Sequence, residues 1–109
     1  MVVVSPSPEG SGEGAGGPAR IRSPRELDMT SSAVLVDRVR ALDPGAGSVE
    51  IDLREVEFID SFGLRALIEA DRILTERSVR PRILVAAEGP VQQLLQLTLL
   101  DHTLDVRAE

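Results

Sequence analysis

Residues Ser48 to Arg77 read SVEIDLREVEFIDSFGLRALIEADRILTER, and a change of hydrophobic period inside this run decides the fold. Val49, Ile51 and Leu53 alternate with Glu50 and Asp52, the period of two expected of a strand with one buried face. From Gly63 onward Leu64, Leu67, Ile68 and Leu74 fall on one helical face, while Arg65, Glu69, Arg72 and Glu76 fall on others. A strand therefore passes into a helix at Asp60-Ser-Phe-Gly63. Asp60 and Ser61 are both favoured caps, because a short side-chain oxygen accepts a bond from the unpaired N–H groups of a first turn. Ser61 is thus predicted to stand at a helix start on the surface. An anion placed on its hydroxyl would meet those N–H groups and the positive end of the helix dipole. Gly63, lacking a Cβ, permits close approach by another backbone. The same spacing is also satisfied if Ser61 does nothing more than cap the helix.

The elements on either side extend the same alternation. Upstream, Thr30, Ser31 and Ser32 offer N-caps for a helix running to about Leu42, with Leu35, Val39 and Leu42 as its buried stripe and Asp37, Arg38 and Arg40 outside. Asp43-Pro-Gly-Ala-Gly47 stops it. Downstream, Ser78 to Arg82 reads as a connection in which Pro81 forbids helix, and Ile83-Leu-Val-Ala86 as a buried strand of parallel type. A strand, helix and strand in succession make a right-handed crossover, which sets this strand beside Val49 to Leu53. Gly89-Pro90 opens a third helix with Pro at its permitted first position, its shared face being Val91, Leu94, Leu95 and Thr98. Leu104-Asp-Val106 is expected as a last short strand. Ser5 to Pro18 is rich in Gly, Ser and Pro and reads as flexible.

Composition narrows the function classes. The 109 residues form one domain at most, 42% hydrophobic, with two Phe and no Tyr or Trp, so the core is aliphatic and base stacking is disfavoured. A net charge of −6 argues against direct nucleic-acid binding, although it leaves room for a local basic patch. The absence of cysteine excludes disulfides and thiolate metal sites. No apolar run approaches the roughly 20 residues of a membrane span, and Met1 to Val4 is too short for a signal-peptide core, so membrane insertion is not expected and a cytoplasmic location is.

Phe58-Ile-Asp-Ser-Phe-Gly-Leu64, together with the strand Val49 to Leu53, resembles the signature of the STAS domain, and within it the anti-sigma factor antagonists. There an acidic strand is followed by Phe, an aliphatic residue, Asp, Ser, a variable residue, Gly and Leu. Glu26-Leu-Asp28 before the first helix and Leu95-Gln-Leu-Thr-Leu-Leu-Asp101 after the last are similar to two further family motifs, so the resemblance spans roughly Arg20 to Val106. It implies an α/β, STAS-like mixed sheet of about four strands packed with three helices, the N-terminal hairpin degenerate and a C-terminal helix absent. Residues 1–18 are then a flexible segment and 19–109 the domain. The opening hairpin either survives as Val2 to Val4 joined by a long loop to Ala19-Arg-Ile-Arg22, or lacks its first strand. Arg25 stands where the family has Gly, and Leu99 where it has a Gly in left-handed conformation; a forced positive φ at Leu99 costs on the order of 1 kcal/mol.

The resemblance also implies a function. Ser61 corresponds to the family's phosphorylated serine, and the chain to a protein that binds an anti-sigma factor of histidine-kinase-like ATPase fold, frees a sigma factor, and is released when that kinase phosphorylates Ser61. Asp28, Asp60, Ser61, Phe62 and Gly63 are the expected partner-binding residues, with Asp60 fixing the turn and Gly63 admitting the partner. Phe62 replaces a small residue and either faces that partner or folds back onto the core. A structural role in a stress-signalling or lipid-transport ABC-type complex is the alternative, since similar domains serve there. Enzymatic activity is not expected. Ser61 lacks a Gly-x-Ser-x-Gly elbow, and nothing in the sequence ties the sole histidine, His102, to it. Glu50, Asp52, Glu55 and Glu57 read as solvated positions, no spacing supports a metal site, and Gly10 to Gly17 lacks the ending of a phosphate loop, so no cofactor is expected.

Overall fold

The computed structural model describes residues 3–4, 19–42 and 47–109. The expected flexible segment at 5–18 and most of the breaker at Asp43 to Gly47 lie outside the described residues. Among the described residues seven strands and three helices follow in order: β1 (Val3–Val4), β2 (Ala19–Arg22), β3 (Glu26–Leu27), α1 (Met29–Arg40), β4 (Ser48–Asp52), β5 (Phe58–Ile59), α2 (Ser61–Glu76), β6 (Arg80–Val85), α3 (Pro90–Leu97), a 3₁₀ turn at Leu100–His102, and β7 (Val106–Ala108).

The main sheet runs β1-β2-β4-β6-β7, with β1 antiparallel to β2 and every other pairing parallel. The mixed sheet of the sequence reading is present, and its first strand exists, as two residues paired with Ile21 and Arg22. Steps from β2 to β4, β6 and β7 all advance in one direction, so right-handed crossovers place the three helices on one side of the sheet. One aliphatic core fills the space between, joining Ile21, Val49, Ile51, Ile83 and Val85 of the sheet to Leu35 and Val39 of α1, Leu67 and Leu74 of α2, and Val91 and Leu95 of α3.

Several local expectations are corrected. Helix α1 begins one turn early: Asp28, not Thr30, Ser31 or Ser32, is its N-cap, accepting bonds from the N–H groups of Thr30 and Ser31 at 3.1 Å each. Ile68 is 45% exposed, because the buried stripe of α2 runs through Gly63, Ala66, Leu67, Ala70 and Leu74, and Ile68 sits about 100° round the helix from Leu67. Thr98 is exposed and ends α3, its hydroxyl donating to the Leu94 carbonyl at 2.9 Å. Strand β6 starts at Arg80 and takes Pro81 inside it, since extended backbone suits the proline φ near the strand's first residue. The last strand is displaced to Val106–Ala108, and Leu104 instead fills the core.

Two features carry energetic consequences. Leu99 adopts φ 62°, the left-handed conformation that the sequence made costly there. Asp52, expected in solvent, is only 4% exposed. Arg54 donates to it from Nε to Oδ1 and from Nη2 to Oδ2, both at 2.9 Å, and its backbone N–H adds a third bond at 3.0 Å. Glu50 is half-buried and paired with Arg20 at 2.7 Å.

Replacing Leu99 by Gly removes the positive-φ penalty at an exposed position, so the thermal midpoint should rise by a few degrees in a calorimetric scan, corresponding to roughly 0.5–1 kcal/mol. The Arg54 hydrogen bonds hold the Asp52 carboxyl below the usual carboxylate range. A depressed folded-state value stabilises the fold above the unfolded value near 4 and loses that contribution as pH falls through the folded one. Asp52→Asn should therefore lower stability by about 2 kcal/mol at pH 7. The difference from wild type should shrink below about pH 4, as read by chemical denaturation across the pH range.

Candidate functional site

The site is built on a second, very small sheet. Strands β3 and β5 pair in parallel, Glu26 beside Phe58 and Leu27 beside Ile59, and each runs directly into an aspartate and a helix. The Asp60 N–H extends the pairing to the Leu27 carbonyl at 3.3 Å. Asp28 caps α1 and Asp60 caps α2, so two helix N-termini emerge side by side, roughly 5 Å apart at the strand ends. At the first cap Ser31 closes a box: its hydroxyl accepts from the Asp28 N–H at 3.0 Å and donates to the Glu26 carbonyl at 2.7 Å. The hydrogen bond from the Ser31 backbone N–H, foremost, holds the Asp28 carboxyl below its ordinary range.

At the second cap Asp60 Oδ1 accepts from the N–H of Phe62 at 2.9 Å and of Gly63 at 3.2 Å. Asp60, not Ser61, therefore does the capping. Ser61 occupies the first helical position with its side chain exposed. Phe62 is 42% exposed and so lies partly open instead of folding wholly into the core. Gly63 is buried, and a Cβ there would meet Ile59 Cγ1 at 2.6 Å and the Leu27 Cβ and carbonyl oxygen at 3.0 Å. The close approach that glycine permits is thus between α2 and the β3–β5 pair of this same chain.

Two shallow grooves flank the turn. One, of about 600 Å³, includes Asp28, Arg25, Ser31 and Glu57. The other, of about 240 Å³, includes Phe58, Ile59, Leu94 and Leu97. Phe58 is 50% exposed and Leu97 81% exposed, neither singled out as a site residue in the sequence. Leu97 was detectable there: in α3 it lies off the stripe formed by Val91 and Leu95, an apolar residue on a polar face. His102 is exposed in the turn after α3, beside Asp101 at 3.8 Å. Among the described residues no group of three His, Cys, Asp or Glu side chains could hold a metal ion, and no helix is long and apolar enough to cross a membrane.

A family model described as "Mlab, STAS domain" matches residues 15–106. The chain belongs to the STAS domain family. Seven chains of solved structures also match. One, the crystal structure of an anti-sigma factor antagonist from Mycobacterium paratuberculosis, has a TM-score of 0.77 and 22% sequence identity, covering all of this chain and 86% of that one. At that identity the likeness speaks to the STAS fold and not to activity. Among curated protein sequences none matches the chain. Within this STAS domain the β3–β5 pairing brings the Asp28 and Asp60 caps alongside each other, with Ser61 the next residue after Asp60, a juxtaposition that sequence distance conceals.

Gly63→Ala should test the seat of α2. Overpacking against the Leu27 backbone outweighs the helix-propensity gain of about 1 kcal/mol, leaving a net loss of about 1–2 kcal/mol that lowers the thermal midpoint by several degrees. Asp60→Ala removes the cap and should cost about 1 kcal/mol by denaturant titration, whereas Ser61→Ala at the uncapped position should cost less than about 0.5 kcal/mol.

Proposed function

We propose that this STAS domain is an anti-sigma factor antagonist. It docks on an anti-sigma factor of histidine-kinase-like ATPase fold through the face around Ser61, and phosphorylation of Ser61 by that kinase releases it. The observation that carries the reading is the exposed Ser61 hydroxyl at the first position of α2, freed from capping by Asp60. Phosphate adds a charge of about −1.5 to −2 and three acceptor oxygens. The Phe62 and Gly63 N–H groups already bond Asp60, so the new anion sits next to a carboxylate with those two donors engaged. Its cost falls on any interface packed over it, through desolvation and like-charge repulsion. A loss of roughly 3–4 kcal/mol weakens such a complex a few hundredfold or more. The protein then controls sigma-factor-dependent transcription from the cytoplasm by binding alone, without catalysis, cofactor or contact with nucleic acid.

Asp28 and Asp60 hold the two helix starts that frame the docking face, Gly63 seats the turn, and Phe62 with Phe58 supplies apolar surface, each worth up to about 1.5–3 kcal/mol if fully covered. A second reading rests on the resemblance to STAS domains that serve as structural subunits. It makes the domain a structural subunit of a lipid-transport ABC-type or stress-signalling complex.

Incubated with its cognate kinase and ATP, the wild-type chain should gain the mass of one phosphate and Ser61→Ala should gain none. Equal labelling of the two would sink the switching role. In a binding titration, Ser61→Asp and Phe62→Ala should each weaken the kinase complex at least tenfold. Co-purification with a transporter ATPase, unchanged in Ser61→Ala, would establish the second reading instead.

A further inference from the structure

The side of the sheet away from the helices carries an arrangement that the Ser61 reading does not use. Because side chains alternate along a strand, the residues between Ile21, Val49, Ile51, Ile83 and Val85 point away from the core. Register assembles them into rows. Arg20, Glu50 and Arg82 lie abreast, Arg22, Asp52, Leu84 and Arg107 form the next row, and Arg80 stands beside Ser48. Leu84 is buried here, outside the main core cluster, beneath long arginine neighbours. No described helix packs on this side. A chain with net charge −6 thus gathers five of its twelve arginines on one flat surface.

The acids of the surface are already engaged. Glu50 takes Arg20 at 2.7 Å, Asp52 takes Arg54 bidentately with Arg22 only at 3.8 Å, and Asp105 takes Arg107 at 3.2 Å. Arg80 and Arg82 have no acidic partner among the described residues, and the charge of Arg22 is largely unspent. Arg82 is further distinguished by a buried Nε that meets no acceptor among the described residues, an arrangement that leaves a guanidinium edge under-satisfied.

We propose that this surface is a second docking site, centred on Arg82 with Arg22 and Arg80 around it, for an acidic polypeptide segment of a partner protein. Arginine forks are suited to carboxylates in bidentate geometry. Two features select spaced carboxylates over the other anionic surfaces. Glu50 and Asp52, each paired with an arginine, interrupt the free guanidinium groups, so spaced carboxylates match the surface better than an unbroken line of phosphates, and neither of the two Phe, the chain's only aromatic residues, belongs to these strands, so no base can stack. The exposed large apolar residues, Phe58, Phe62, Ile68, Leu97 and Leu99 among them, all lie in other elements, so nothing here would insert into a lipid surface. The site lies across the sheet from α2 and stands whether or not Ser61 is modified.

The test is a fluorescence-anisotropy titration of the full chain with a labelled ten-residue peptide of alternating Glu and Gly, at about 20 mM salt. Its Gln counterpart, a single-stranded oligonucleotide of equal charge and vesicles of phosphatidylglycerol serve as competitors. The Glu peptide should bind, the Gln peptide should not, and Arg80→Gln with Arg82→Gln should weaken binding at least tenfold while Ser61→Asp leaves it unchanged. Arg80→Gln alone, at an exposed position, keeps the comparison valid if the double variant loses its cooperative melt, and should still weaken binding severalfold. Absent binding, binding indifferent to Arg80→Gln, or stronger binding of the oligonucleotide or vesicles would overturn the proposal.

Discussion

The pairing of β3 with β5, two residues against two, is the constraint on which the site depends. Alone, so short a ladder contributes little; its effect lies in what each strand leads into. Leu27 is fully buried and Ile59 packs against the core, while the residues that follow them are helix-capping aspartates. Aligning Leu27 with Ile59 therefore aligns the starts of α1 and α2. Gly63 completes the arrangement, because only a residue without a Cβ lets the first turn of α2 close on Leu27 and Ile59. Hydrophobic burial sets the register, and the register brings the polar surface together.

The division of labour between Asp60 and Ser61 follows from the same geometry. A cap residue is extended, and its side chain turns back on the N–H groups ahead of it; Asp60, with φ −119° and ψ −168°, meets that requirement. Ser61, one position later, is already helical and projects outward. An acid followed by a hydroxyl thus separates holding the helix from presenting the oxygen. Asp28 repeats the first half of this device in α1, where Ser31 answers from within the turn.

Much of this was legible in the sequence, and the failures have identifiable causes. The alternation of Val49 to Leu53, the apolar stripes of the helices and the breakers at Asp43-Pro-Gly, Pro81 and Gly89-Pro90 located the two central strands and the three described helices, because burial of one face imposes those periods. The exact starts were less readable, since Thr30, Ser31 and Ser32 have cap chemistry as good as that of Asp28, and only the register of β3 decides among them. Asp52 was misread for a related reason: alternation marks which face a residue takes but is silent on whether an arginine from the following loop covers it. The β3–β5 pair was invisible as structure, because two-residue strands have no period; the family motifs marked its positions without its partners. Ile68 illustrates the limit of a helical stripe, which has a width that apolar character alone does not define.

The strand order has a bearing on how the molecule comes into being. Ala19 meets Val49 and Ser48 meets Arg80, so the inner contacts of the sheet close over roughly thirty positions, each spanned by its own helix. No tight hairpin seeds this part of the sheet. The entropy of closing each crossover is met before the contacts it secures are gained, which places assembly among the slower mixed α/β domains and ties strand formation to the docking of α1 and α2. The helices that carry the site are, on this view, also the scaffolding on which the sheet is raised.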